Sequence, residues 1–302
     1  DGWIGNNFHG QSAKHGAGMF DNMEVGLRYL AEKGLPPENE HIAKAVNSFL
    51  LKEPFDAAYG GSGDPPKPPD TDYTYTACGL YLARSSLIIR AGYEYLLPED
   101  IFIDIKHDVD FSLKSFAGVL SCGSADDAVD RSRRKLCFLP GVLWPCLYHL
   151  RMLAFSQIWR SEQNTALLAD SVNRLFSFRH TDEVVYTYVK GQYVGPCFAF
   201  IHSQWRNLGL DDEETLPLDI MELFSRCGIL GRVQPLCDRY ERMLSAVDDS
   251  LNINLPVNKN ASRNWSPYFG FALEEDWRTK KKQKCDLLFR VLLIMHYTEN
   301  CK

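Results

Sequence analysis

Apolar residues recur three and four positions apart along most of the chain, a spacing that puts their side chains on one face of an α-helix. Met23, Leu27 and Leu30 follow this spacing near the start of the chain. It returns over residues 147–154 and is clearest over residues 287–295. The pattern predicts an all-α protein.

Interruptions of the helical pattern fall between the predicted helices. The best strand candidate is the short run 184–189, which predicts one hairpin or an extended connection. Residues 60–72 are rich in glycine and proline, so they predict a loop. Residues 121–134 and 252–267 are predicted as connections. The helical pattern resumes after each of them, so we expect residues 1–302 to form a single domain.

A weak internal repeat places an arginine between apolar residues on successive predicted helices. Each interval between these arginines has room for a helix pair with its connections, and a lone pair cannot bury its apolar face. We therefore expect a stack of helical hairpins. The arginines of the repeat are Arg28, Arg84, Arg151, Arg226 and Arg290.

Both ends of the chain carry a family resemblance. Residues 1–5 (DGWIG) resemble the D-G-x-W-G turn of the prenyltransferase and squalene-cyclase repeats, and residues 265–278 and 286–297 resemble bacterial members. The resemblance implies an (α/α) toroid, in which outer helices surround inner helices around a central cavity. It also makes Trp3 a candidate substrate-binding residue.

The chemistry of that family does not transfer residue by residue. Its cyclases protonate an alkene with a D-x-D-D motif, whereas residues 108–111 read Asp-Val-Asp-Phe. Its protein prenyltransferases hold zinc with a D-x-C pair, and no D-x-C occurs here. Asp104, His107 and Asp108 would share a helix face, but a metal site would need ligands from another segment. We predict no metal and no cofactor.

The leading interpretation is a terpene-cyclase-like protein that binds or converts a largely apolar small molecule in an aromatic-lined cavity. Asp108 and Asp110 are then the candidate catalytic acids. Trp144 and Tyr148 are one helical turn apart, so they are expected to line the cavity, with His149 beside them. This interpretation favours an enzyme.

Two alternatives stay open. The first is a polysaccharide lyase, in which Asn7 masks a substrate carboxylate and His9 abstracts a proton, with Tyr73 or its neighbour Tyr75 as the acid. The second is a non-catalytic helical scaffold that binds a peptide or a protein.

Composition narrows the possible partners and compartment. The net charge of −6 does not favour a nucleic-acid binder, which needs clustered lysine and arginine. No apolar run approaches the roughly 20 residues of a membrane span. The nine cysteines are scattered among apolar neighbours, which is typical of reduced, buried thiols. They favour a reducing compartment, so the predicted location is the cytoplasm.

Overall fold

α-Helices dominate the computed structural model, which describes residues 2, 4, 22–51, 75–179, 181–189, 191–194, 198–202, 216–255 and 273–299. The prediction of a mainly helical chain is confirmed. The helices are α1 (Met23–Glu32), α2 (Glu40–Leu51), α3 (Tyr75–Arg90), α4 (Glu99–Gly118), α5 (Leu147–Phe155), α6 (Glu162–Ser177), α7 (Leu216–Arg226), α8 (Gln234–Ser245) and α9 (Lys280–Glu299).

Side chains just before the helices fix where several of them begin. The Asn22 side chain accepts a hydrogen bond from the backbone N–H of Val25, which satisfies a donor in the first turn of α1. Ser161 caps α6 in the same way. At α5 the roles are reversed, because the Cys146 backbone N–H donates to Nδ1 of His149 at 2.9 Å.

Connections alternate in length along the chain. Those that leave α1, α3, α5 and α7 are short, at residues 33–39, 91–98, 156–161 and 227–233. The stretches of chain before α3, α5, α7 and α9 span more residues, at 52–74, 119–146, 178–215 and 246–279, counting residues that the structure does not describe; we call them the long connections for their length alone. Every long connection therefore arrives at the N-terminal end of an odd-numbered helix.

Contacts between the helices follow the same alternation. Each odd-numbered helix packs against the next one, so that α3 touches α1 and α5, and α7 touches α5 and α9. Among the even-numbered helices, α2 lies on α1, and α4 lies on α3 and α5. Helix α6 packs against α4, and α8 packs against α6.

The long connections into α5 and α7 contain two antiparallel strand pairs, β1 (Val129–Asp130) with β2 (Cys137–Phe138), and β3 (Thr187–Val189) with β4 (Gln192–Val194). Tyr186 joins the pairs, because its N–H donates to the Leu136 carbonyl at 2.8 Å and its carbonyl accepts from Phe138 N–H at 2.9 Å. The strand predicted over 184–189 is thus present in part.

Segment 198–201 closes over the start of α5. The Phe200 N–H donates to the Pro145 carbonyl at 2.9 Å, and the buried Phe200 ring contacts Phe116 of α4 and Phe224 of α7. A long connection is therefore anchored in the core beside the N-terminal end of an odd-numbered helix. Among the described helices, none combines the length and the apolarity needed to cross a bilayer.

Candidate functional site

Charged side chains gather on the faces that the odd-numbered helices turn toward one another. They come from all five of these helices and are buried or nearly so. Burying an ion is costly unless opposite charges surround it, so such a concentration needs mutual pairing. We call this group the charge cluster; its members are Glu24, Arg28, Glu32, Arg90, Arg151, Asp219, Glu222, Arg226 and Arg290.

One level of the charge cluster is centred on Arg151 of α5. Its guanidinium reaches Glu24 of α1 at 3.2 Å and Asp219 of α7 at 3.5 Å. Arg28 of α1 lies in the electrostatic range of all three. We call these four residues the Arg151 level, which ties α1, α5 and α7 together.

The other level is centred on Arg290 of α9. Its guanidinium binds Glu32 of α1 at 2.8 Å and also pairs with Glu222 of α7. Arg90, the last residue of α3, shares the same Glu32 oxygen at 2.9 Å. Arg226 binds the second oxygen of Glu222 at 2.7 Å. We call these five residues the Arg290 level.

Opposing effects set the pKa of Glu32. Burial alone raises it, but the charges of Arg290, Arg90 and Arg28 outweigh burial and bring the pKa to about 2. Burial likewise lowers the pKa of Arg90 to about 9, although Glu32 opposes the shift. Glu32 is therefore ionised at neutral pH and holds arginines from two other helices.

Aromatic rings separate the arginines of the Arg290 level. The Phe155 ring of α5 lies 4.5 Å from the Arg90 guanidinium carbon and 4.7 Å from that of Arg226. The Tyr297 ring of α9 lies 4.0 Å from Arg226. Such cation–π contacts stabilise a guanidinium where water is excluded.

The two levels lie at different heights along the helices. Glu24 and Asp219 lie near the N-terminal ends of α1 and α7, whereas Glu32 and Arg226 lie at the C-terminal ends. Helices α1 and α7 therefore run the same way through the charge cluster. The Arg151 level lies toward the ends that the long connections reach.

Positive charge is in excess among the described members, which comprise five arginines and four carboxylates. The excess lies at the Arg290 level, with three arginines and two carboxylates. At the Arg151 level, which has two of each, burial lowers the pKa of Arg28 and the charge of Arg151 lowers it further, against the attraction of Asp219. An additional negative group at this level would relieve the repulsion between the two guanidinium groups.

Three of the predicted binding residues lie at the start of α5. The prediction that Trp144 and Tyr148 share a helix face is wrong, because α5 begins at Leu147 and Trp144 lies before the helix. Trp144 stacks on Phe178 at 5.9 Å. Tyr148 instead lies beside the charge cluster, with its ring 5.7 Å from the guanidinium carbon of Arg151.

The surroundings of His149 indicate a structural role. Its ring is buried and packs 5.5 Å from Phe111 of α4. Burial lowers its pKa to about 3, so the imidazole is neutral at physiological pH. Because Nδ1 accepts the Cys146 N–H, the proton of the neutral ring is on Nε2.

The two candidate acids lie on α4. Asp110 is exposed. Asp108 faces α3, where the Ser85 hydroxyl donates to its carboxylate at 2.5 Å. Burial raises the pKa of Asp108 to about 6, the Ser85 hydrogen bond opposes this, and the charge of Asp104 adds to it. Asp108 thus has the raised pKa of an acid, but its partners are residues of α3 and α4.

Four predicted residues, Trp3, Asn7, His9 and Tyr73, lie outside the described residues. In the part of the chain that is described, no three His, Cys, Asp or Glu side chains converge as metal ligands.

A half-open cavity of about 400 Å³ lies beside β1, outside the charge cluster. Its lining combines apolar side chains with charged side chains of both signs. Arg131 binds Asp126 at 2.8 Å and Glu183 at 3.7 Å. The lining residues are Ala125, Asp126, Val129, Arg131, Leu136, Arg179, Thr181, Asp182, Glu183 and Ile201.

Comparison with known proteins adds no assignment. No family model, curated protein or solved structure matches the chain. The function is therefore argued from the arrangement of its own residues.

The arginine repeat was the sequence signal for the charge cluster. Four of its five arginines are members; Arg84 instead donates to the Phe49 carbonyl, and Arg90 represents α3. The carboxylate partners were missed. Their signal is an acid four residues from an arginine on an otherwise apolar helix face, as in Glu24–Arg28–Glu32 and Glu222–Arg226.

The first prediction concerns Glu32. We expect Glu32→Gln to lower the free energy of unfolding by about 3 kcal/mol, because it leaves Arg90 and Arg290 buried without their shared carboxylate. Chemical denaturation measures the change. Glu40→Gln is the control, since Glu40 forms an exposed pair with Lys44 on α2 and should alter nothing measurable.

The low pKa of Glu32 predicts that the stabilising effect of its side chain depends on pH. The folded pKa of Glu32, about 2, lies below the ordinary value of 4.5, so the unfolded chain takes up the proton first as the pH falls. The stabilising effect of Glu32 is complete above about pH 4.5 and is lost toward about pH 2. The stability gap between wild type and Glu32→Gln should shrink over that range. A gap independent of pH would show that the Glu32 charge is not responsible.

For Asp108 we expect the opposite pH dependence of folding stability. Its folded pKa of about 6 lies above the ordinary 3.8, so ionising it at higher pH costs stability. Asp108→Asn should therefore raise the free energy of unfolding by about 1 to 3 kcal/mol at about pH 8. At about pH 3 the advantage should vanish, because wild-type Asp108 is then protonated in both states. Denaturation at the two pH values tests this. A variant less stable than wild type at both would mean that the carboxylate is needed as an ion.

Proposed function

We propose that the odd-numbered helices form the inner wall of an (α/α) toroid and that the even-numbered helices form its outer wall. The unbroken series of contacts from α1 through α3, α5 and α7 to α9 supports this arrangement. The ion pair of Arg290 with Glu32 also supports it, since it joins the last helix to the first. In this arrangement the charge cluster occupies the middle of the ring.

We further propose that the protein acts on a polar, anionic ligand, in the manner of a polysaccharide lyase. The observation that carries this proposal is the position of Tyr148 beside Arg151, in a cluster whose described members include one more arginine than carboxylates. The phenol of Tyr148 lies next to the guanidinium of Arg151, and Arg28 belongs to the same level. These groups suit a substrate that carries a carboxylate next to an acidic C–H bond.

β-Elimination from a uronate sugar needs these groups. Arg28 and Arg151 would pair with the substrate carboxylate, which makes the neighbouring C–H proton easier to remove. A base takes that proton, a C=C bond forms and the C–O bond to the next sugar breaks. The departing oxygen takes a proton, for which Tyr148 is the candidate donor. The atoms balance without any further reactant.

An apolar ligand fits the described interior less well. A terpene-like molecule against the charge cluster would strip hydration from the ions without offering them hydrogen bonds. The cyclase-like interpretation stays a prediction, and the lyase-type alternative is the one that the charge cluster favours.

The test uses uronate substrates. Purified protein is incubated with polygalacturonate, alginate and hyaluronate, and the C=C bond of the product is followed by ultraviolet absorbance. We expect turnover of at least one polymer, lost in Tyr148→Phe with little change in affinity, because the phenol carries the proton and the arginines bind the carboxylate.

Arg28→Gln separates binding from folding. It brings the described members of the cluster to equal numbers of both charges, so the protein should fold and lose the rise in melting temperature that uronates give wild type. Arg278→Gln is the matched control, since Arg278 is exposed and lies outside the cluster. Equal stabilisation of wild type by neutral galactans, or by farnesol, would refute an anionic ligand.

A further inference from the structure

Three tyrosines lie on one face of the β3–β4 hairpin. Tyr186 and Tyr188 are two residues apart, so their side chains point the same way, and the neighbouring Val185 is buried. Tyr193 is paired with Tyr188 in register. The Tyr193 ring centre lies 4.9 Å from that of Tyr188 and 6.1 Å from that of Tyr186. We call these three residues the tyrosine face.

Two basic side chains from the β1–β2 connection lie over the tyrosine face. The Lys135 ammonium is 4.2 Å from the Tyr186 ring centre and 5.4 Å from that of Tyr193. The Arg133 guanidinium carbon is 4.2 Å from the Tyr188 ring centre, and Asp130 holds its Nε at 2.9 Å. Rings and cations are thus held together at the surface.

The charges on this surface suit a sparsely charged ligand. Arg131 and Arg133 are paired with carboxylates, whereas Arg134 and Lys135 form no ion pair with any described residue. Of these two, Lys135 lies over the tyrosine rings, where its single charge can hold a carboxylate. A nucleic-acid strand places a phosphate at every nucleotide and is bound by an extended basic groove.

We propose that the tyrosine face, with Lys135, binds a segment of an acidic oligosaccharide. Tyr188 is 38% exposed although Arg133 lies over its ring, so the C–H groups of a sugar, which carry partial positive charge, can contact the uncovered part of the ring. A sugar carboxylate pairs with the Lys135 ammonium. The surface lies on the long connection into α7, at the end of the proposed toroid that the Arg151 level faces.

This inference rests on the proposed function for the choice of an acidic sugar, but it involves different residues. A chain held at the tyrosine face would extend from a sugar bound at the Arg151 level. The tyrosine face should therefore matter for long uronate chains and not for a single uronate.

The experiment compares the affinities of wild type and variants for oligogalacturonate and for monomeric galacturonate by calorimetry. Tyr188 is 38% exposed, so Tyr188→Ala should fold normally. We expect it to weaken oligogalacturonate binding by roughly three- to tenfold and to leave the monomer unaffected. Tyr188→Phe keeps the ring and should bind like wild type. Tyr95→Ala, at a 70% exposed tyrosine outside the hairpin, is the control.

The outcomes separate the two proposals. One outcome refutes the role of the tyrosine face and leaves the proposed function standing. In that outcome, wild type binds the oligomer, Tyr148→Phe loses turnover, and Tyr188→Ala binds the oligomer as tightly as wild type does. If wild type binds no uronate, both fail. Tighter binding of a single-stranded oligonucleotide than of oligogalacturonate would also overturn the inference. Lys135→Gln should weaken the binding of oligogalacturonate at low salt and leave the binding of a neutral oligosaccharide unchanged. Lys44→Gln is its control and should change neither.

Discussion

The ion pair between Arg290 and Glu32 is the constraint on which the arrangement of the helices depends. It joins α9 to α1, and Arg290 also reaches Glu222 on α7. A guanidinium that is 1% exposed is tolerated only where carboxylates replace its lost water. The helices that supply those carboxylates must therefore meet around it, although they are far apart in the sequence.

This requirement specifies partners more narrowly than apolar packing does. Two apolar faces can slide past each other at modest cost, whereas a buried guanidinium loses its compensation if its carboxylate moves by one helical turn. Arg151 imposes the same condition on α1, α5 and α7 at the other level. Two levels of ion pairs thus fix the relative height of the helices, and hydrophobic burial supplies most of the folding free energy.

The proposed chemistry is a consequence of the same constraint. In the proposed toroid, an interior that must hold charge cannot also offer an apolar wall, and the excess of arginine in the charge cluster favours anions. Connection length separates the two ends of the helices. Short connections follow α1, α3, α5 and α7. The long connections before α5 and α7 contain the strand pairs, the tyrosine face and the residues that line the cavity beside β1.

The helices can be predicted from local sequence, because the spacing of Met23, Leu27 and Leu30 is a local property of an amphipathic helix. The recurrence of arginine on successive helices is visible there too. What those arginines contact is known only from the assembled fold, since Glu32 and Arg290 meet across 258 residues of chain. The fold also places Trp144 outside the helix of Tyr148, because α5 begins at Leu147, where the Cys146 N–H donates to the imidazole of His149. Local spacing fixes which face a side chain occupies, whereas the partner of a buried charge is fixed by how the helices assemble.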